Sequence, residues 1–202
     1  MLPIKVMMNP RGYFLLGQTI LGACLVVCLM LIPGYFFSHD QGGVSNYGTD
    51  ERTIALFTIG FTAAAAGSLL AGLSLPSSFL QRRRKQLGLF LLALFYTAVL
   101  VSTFSYKVSD SLRSIHEYSA LALFGVMLAQ ALWLALKVNP RDSRTRRALT
   151  IFLAAFVAGL LTVFGPLHIL FTVQIVCGVT FGYIWVRAFE AQHPRALENQ
   201  PL

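Results

Sequence analysis

Charge is scarce in this chain. Eight acids and sixteen bases make up 12% of its 202 residues, against about 25% in a soluble domain, too little polar surface to clothe a water-exposed globule. Cysteine is equally sparse. Cys24 and Cys28 lie four apart in one apolar run, hence on one helical face, and Cys177 lies in another. Nothing polar accompanies them, so they are expected to act as small apolar residues, and no disulfide framework holds the polar connections. No Asp, Glu, Lys or Arg interrupts the middle of an apolar run, which removes the usual apparatus of a proton-coupled pump or ion pathway. Alternation of period two is missing too, against a β-barrel.

What is there is apolar bulk in long blocks: 56% hydrophobic residues and a mean hydropathy of +0.67. Six blocks cover 13–37, 54–79, 87–106, 118–136, 148–164 and 167–189. Each is close to the ~20 residues a helix needs to cross the hydrocarbon of a bilayer. The expectation is an all-α, polytopic integral membrane protein: one transmembrane domain, 1–202, forming a six-helix bundle with short terminal tails. Lys5 and Arg11 precede the first run as in a signal peptide. That run is about 25 residues, longer than a signal core, and no small-residue cleavage site follows, so it is expected to remain as the first helix. The second block carries "GFTAAAAGSLLAG", with Gly60, Ala64 and Ser68, and Ala63, Gly67 and Ala71, stacked at i+4; such ridges let helices approach closely and suit a central helix. Gln18, Gln130 and Gln174 are expected to hydrogen-bond between helices.

Thirteen of the sixteen cations fall on one side of this layout, including the loops "QRRRK" and "KVNPRDSRTRR"; only Arg52, Lys107 and Arg113 fall on the other. The positive-inside rule places both termini in the cytoplasm. The net charge of +8 is thereby read as topology signal and anchor for anionic lipid, with no nucleic-acid partner.

The longest polar stretch in the first half, "HDQGGVSNYGTDER" (39–52), then becomes an exoplasmic loop, joined at the same face by 105–117 and by the turn 165–168. His39, His116 and His168 share that layer with Asp40, Asp50, Glu51, Asp110 and Glu117. Histidine and carboxylate are zinc ligands, and three ligands with a water make a hydrolytic centre. The spacing carries no signature, neither His-Glu-x-x-His nor two histidines at i, i+4. Plain structural duties account for much of the cluster. "SIHE" reads as a capping box pairing Ser114 with Glu117, Thr49 as a cap for the second helix with Asp50 and Glu51 in its first turn, and His39 as a cation at a helix C-terminus. A haem would need axial histidines inside the bundle, whereas these sit at its rim. No cofactor is predicted; zinc on His39, His116 and His168 is the alternative.

"VSNYGTDERTIALFTIGF" resembles the first-loop motif of the DRAM and FRAG/Sfk-type family of six-helix membrane proteins, which includes the damage-regulated autophagy modulators and a factor in GPI-anchor lipid remodelling. Val44, Ser45, Gly48, Glu51 and Phe57 carry the match, and in "SIHEYSALALFGVMLAQ" so do His116, Ala120, Phe124 and Gln130. The resemblance covers 44–130. Asn46 stands where the family usually has Asp, and Asp50 where it has Pro. It implies a membrane location and lipid-linked processes.

Two functions are expected from different classes. One is a non-catalytic protein whose exoplasmic polar groups, Ser45, Asn46, Arg52, Asp110 and His116, bind a lipid headgroup or another membrane protein, with Arg52 meeting a phosphate. The other is a membrane-embedded hydrolase or transferase acting on lipid, with His39, His116 and His168 as ligands or bases beside Asp40, Asp110 or Glu117.

Overall fold

The computed structural model describes residues 9–34, 43–77, 79, 81–104, 109–164 and 169–190. Six helices in it are long and apolar enough to cross a membrane: α1 (Pro10–Leu31), α2 (Ile54–Leu73), α3 (Arg82–Thr103), α4 (Asp110–Trp133), α5 (Ser143–Phe164) and α6 (Leu170–Glu190). A six-residue 3-10 helix, Gly43–Gly48, precedes α2. At ~1.5 Å per residue, twenty or more residues reach about 30 Å, the thickness of bilayer hydrocarbon. Large apolar side chains such as Met30, Ile59, Leu73, Leu87, Leu94 and Val101 point outward, an exterior matched to hydrocarbon rather than water.

Local chemistry sets the helix ends. Asn9 caps α1, its side-chain oxygen accepting from Gly12 N at 2.7 Å, with Pro10 in the first turn. The helix stops at Leu31, ahead of Pro33. Pro76 keeps α2 from running to 79 as the apolar pattern suggests; it ends at Leu73. Before α3, Gln81 takes a left-handed conformation with φ 55°. A π-turn, Leu134–Val138, extends α4, and its Asn139 N–H bonds back to Leu134 O at 2.9 Å.

Two capping expectations are corrected. α4 starts two turns before its apolar block, at Asp110, where Ser109 Oγ accepts from Leu112 N at 3.3 Å. Ser114, already inside the helix, bonds Asp110 O instead of Glu117. Thr49 does not cap α2; its hydroxyl donates to Asn46 O at 3.1 Å, and the Asp50 carbonyl receives Thr53 N and Ile54 N.

The small-residue ridge works as expected: a Cβ on Gly17 of α1 would stand 2.5 Å from Ala63 O of α2. The helix that carries the ridge makes the most extensive packing in the bundle, against α1 and α3, and also touches the 3-10 helix; α6 reaches α1, α4, α5 and the 3-10 helix. Gln130 ties three helices together, its Nε2 donating to Gly88 O (2.8 Å) and its Oε1 accepting from Trp185 Nε1 (3.1 Å). Tyr96 donates to Gln18 Oε1 at 3.3 Å. At the end that holds the N-terminus of α1 and the C-terminus of α6, Arg11 pairs with Glu190 (3.0 Å) and Arg187 with Asp142 (3.0 Å). All three cysteines are buried and free.

Candidate functional site: a histidine beneath the first loop

The 3-10 segment between α1 and α2, Gly43–Gly48, does not lie on the surface where its composition would put it. All six of its residues are buried, and several of their polar groups are met by other elements. Val44 N donates to Gln174 Oε1 of α6 at 2.8 Å. Gly43 has φ +52°, and a Cβ there would collide with the Gln174 amide, so both backbone and space demand glycine. Tyr47 is fully enclosed, its hydroxyl donating to Ile32 O just past α1 (3.2 Å) and its ring edge-on to Phe171 of α6 (5.8 Å). Thr53, at the mouth of α2, donates to Tyr47 O at 2.8 Å. A Cβ on Gly48 would meet the Phe57 ring of α2 and Thr103 of α3.

His116 of α4 completes the set. Its Nε2 stands 2.8 Å from Ser45 Oγ, and its Nδ1 faces Ser102 Oγ at 3.1 Å and Thr103 Oγ1 at 3.3 Å, at the end of α3. The short helix thus touches α1, α2, α3, α4 and α6, with His116 as a two-sided bridge. The hydrogen-bond network assigns the tautomer. Both hydroxyls, Ser102 and Thr103, donate to Val99 O (3.1 and 2.7 Å). Their protons being used there, Nδ1 carries the ring hydrogen, and the Nε2 lone pair accepts from the Ser45 hydroxyl. Ser45 and His116 are 8% and 5% exposed.

The structure sorts the remaining candidates. Ser45, Asn46 and His116 are buried at this end of the bundle, and Ser45 and His116 touch directly. Arg52, its side chain 62% exposed, grips Asp50 through two 3.1 Å contacts. Asp110 is exposed in the first turn of α4. Glu117 follows His116 by one residue, about 100° around the helix, and is exposed. His39, Asp40 and His168 lie outside the described residues. Among the described residues no group of three His, Cys, Asp or Glu side chains could hold a metal ion.

Two partners escaped the sequence reading. Ser102 and Thr103 close an apolar run, where hydroxyls pass for ordinary helix residues, although two adjacent hydroxyls ahead of a polar connection are a faint signal. Gln174 was legible as a buried hydrogen-bonding group; its acceptance of a loop N–H instead of a helix–helix bond was not.

Comparison with known protein families, with curated proteins and with solved structures finds no match for this chain.

Proposed function

We propose that this chain is a six-pass integral membrane protein, with both termini cytoplasmic, that has no catalytic activity of its own and uses its exoplasmic face to bind a lipid headgroup or another membrane protein. The observation that carries this reading is the lock on the first loop. Ser45 and His116 are spent on each other inside a packed plug that reaches five helices, an arrangement suited to holding a fixed face rather than admitting a substrate. Around it, Glu51, the Asp50–Arg52 pair, Asp110, Arg113 and Glu117 offer exposed or half-exposed polar groups. The kinship with DRAM and FRAG/Sfk-type proteins is part of the same proposal. Of the residues that carry the resemblance, Val44, Ser45, Gly48, Phe57 and His116 belong to this plug, which supports reading those five as structural; Glu51, Ala120, Phe124 and Gln130 lie outside it. No cofactor is needed.

One observation favours the enzymatic alternative, a lipid hydrolase or transferase. A serine hydroxyl donating to Nε2 of a histidine whose Nδ1–H is held by other groups is the pairing that activates a nucleophile. Here Ser102 and Thr103, and no carboxylate among the described residues, hold Nδ1, which gives the imidazolium less support than a triad acid does. A fluorophosphonate probe on purified protein in lipid nanodiscs separates the two. No labelling is expected; labelling that disappears in Ser45→Ala and His116→Ala would establish the enzyme. For the binding reading, a photo-crosslinker placed at Glu51 or Glu117 should give adducts with lipid or with a neighbouring membrane protein. The lack of any adduct at both positions would remove it.

A further inference from the structure

The opposite end of the bundle holds an electrostatic arrangement that the plug does not explain. α3 begins Arg82-Arg83-Arg84-Lys85, and with Ser77 and Gln81 the three arginines line an open cleft of about 420 Å³. Arg82 is fixed there, its Nε donating to Leu75 O at 2.9 Å, which leaves the terminal nitrogens of its guanidinium for another acceptor. Arg83 and Arg84 are exposed. Lys85 is turned inward and fully buried, bonding Ala188 O at 3.3 Å.

None of the three arginines forms an ion pair among the described residues. The described acids of this end are already engaged, Asp142 by Arg187, and Glu190 by Arg187 and Arg11. Among the described residues, then, these three consecutive guanidiniums have no counter-charge, and they stand in the first turn of a helix, where the backbone dipole also disfavours cations. An anion in the cleft reverses both terms.

The surroundings of the cleft say which anion. Below it, α2 and α3 are in close contact, with Gln86 Nε2 donating to Gly72 O at 3.1 Å. Leu87, one turn below Arg83 and Arg84 on α3, and Leu73, the last residue of α2, are exposed. A charged cleft above leucine-lined flanks fits an amphiphile, with an anionic head among guanidiniums and acyl chains along the leucines. Free phosphate would leave the leucines unused.

We propose that the Arg82–Arg83–Arg84 cleft binds the phosphate of an anionic membrane lipid, such as a phosphatidylglycerol. This site is at the other end of the molecule from His116, so it stands or falls independently of the function proposed above.

The test uses the full chain in neutral detergent, titrated with phosphatidylglycerol, phosphatidylcholine or inorganic phosphate while thermal unfolding and native mass spectra are followed. Phosphatidylglycerol should raise the unfolding temperature and remain bound in the mass spectrum; phosphatidylcholine and inorganic phosphate should do neither. Arg83→Gln with Arg84→Gln should weaken phosphatidylglycerol binding by about 10- to 30-fold. Both residues are exposed, and Arg82, which holds the turn, is left in place. A control pair on the neighbouring basic segment, Arg144→Gln with Arg146→Gln, should bind as the parent does. Equal weakening by both pairs would reduce the effect to net charge and overturn the site, as would unchanged binding in the Arg83/Arg84 variant. An equal shift from inorganic phosphate would overturn the lipid.

Discussion

His116 Nε2 accepts a hydrogen bond from Ser45 Oγ at 2.8 Å across 71 residues of chain, and this bond fixes the first loop against the fourth helix. Its neighbours make it a junction. The same imidazole reaches Ser102 and Thr103 on α3, so three elements meet at one buried ring.

Removing the Ser45 hydroxyl leaves Nε2 buried without that donor. Ser45→Ala is expected to destabilise the protein by roughly 1–3 kcal/mol, the usual desolvation cost of an orphaned buried polar atom. His116→Ala should cost at least as much, since it removes the acceptor of the Ser45 hydroxyl and the donor that reaches Ser102 and Thr103, and leaves the space of the ring unfilled. The double variant should cost less than the sum of the two, by about 0.5–3 kcal/mol. Reversible unfolding in mixed micelles measures all three, and strict additivity would mean that the pair does not interact.

Gly43 supplies a second probe of the plug. Its φ of +52° and its contact with the Gln174 amide mean that Gly43→Ala meets backbone strain, a cost of order 1–3 kcal/mol, together with a steric collision. Shortening the partner in Gly43→Ala/Gln174→Ala should relieve the collision but not the strain, and it leaves Val44 N without its acceptor. Partial rescue is therefore expected in the same unfolding assay. Full rescue would show that the left-handed backbone is not required.

These effects mark the limit of what the sequence showed. The six spans were legible because apolar runs of about 20 residues have few other uses; the first two helices nevertheless end before their runs do, at Leu31 and Leu73, ahead of Pro33 and Pro76. The start of α4 was not, since its first two turns are polar: hydropathy cannot see them, and "SIHE" supplied a plausible but false cap downstream of Ser109. The burial of Gly43–Gly48 was hidden for a different reason. Its composition is that of a solvated loop, and it is buried because Gln174, His116 and Thr53 receive its polar groups. Of the candidate residues, Ser45, Asn46 and His116 shared an end of the bundle because helix topology alone put them there; Arg52 turned instead to its near neighbour Asp50.

Gln130 should matter although it belongs to neither candidate site. Its amide spans Gly88 O on α3 and Trp185 Nε1 on α6. Gln130→Leu keeps much of the volume and strands the indole N–H, with an expected loss of about 0.6–2 kcal/mol, in the range of hydrogen bonds between membrane helices. Trp185→Phe in that background removes the stranded donor and should recover part of the loss. Identical stability of parent and Gln130→Leu would refute the bridge.

Asp142 gives the pH dependence a sign. The Thr145 hydroxyl at 2.6 Å and the Arg187 guanidinium at 3.0 Å hold its carboxyl down at about 2, below the ordinary carboxylate range. A carboxyl depressed in the folded state stabilises it fully above the unfolded value of about 4. That contribution is lost as pH falls from there through about 2, because protonation removes the acceptor that caps α5 and pairs α6. Asp142→Asn should therefore be less stable than the parent at neutral pH and approach it as the pH nears 2. Unfolding measured from pH 7 to pH 2 decides the matter: a gap between parent and variant that stays constant over that range would show that the carboxylate charge does not hold α5 to α6.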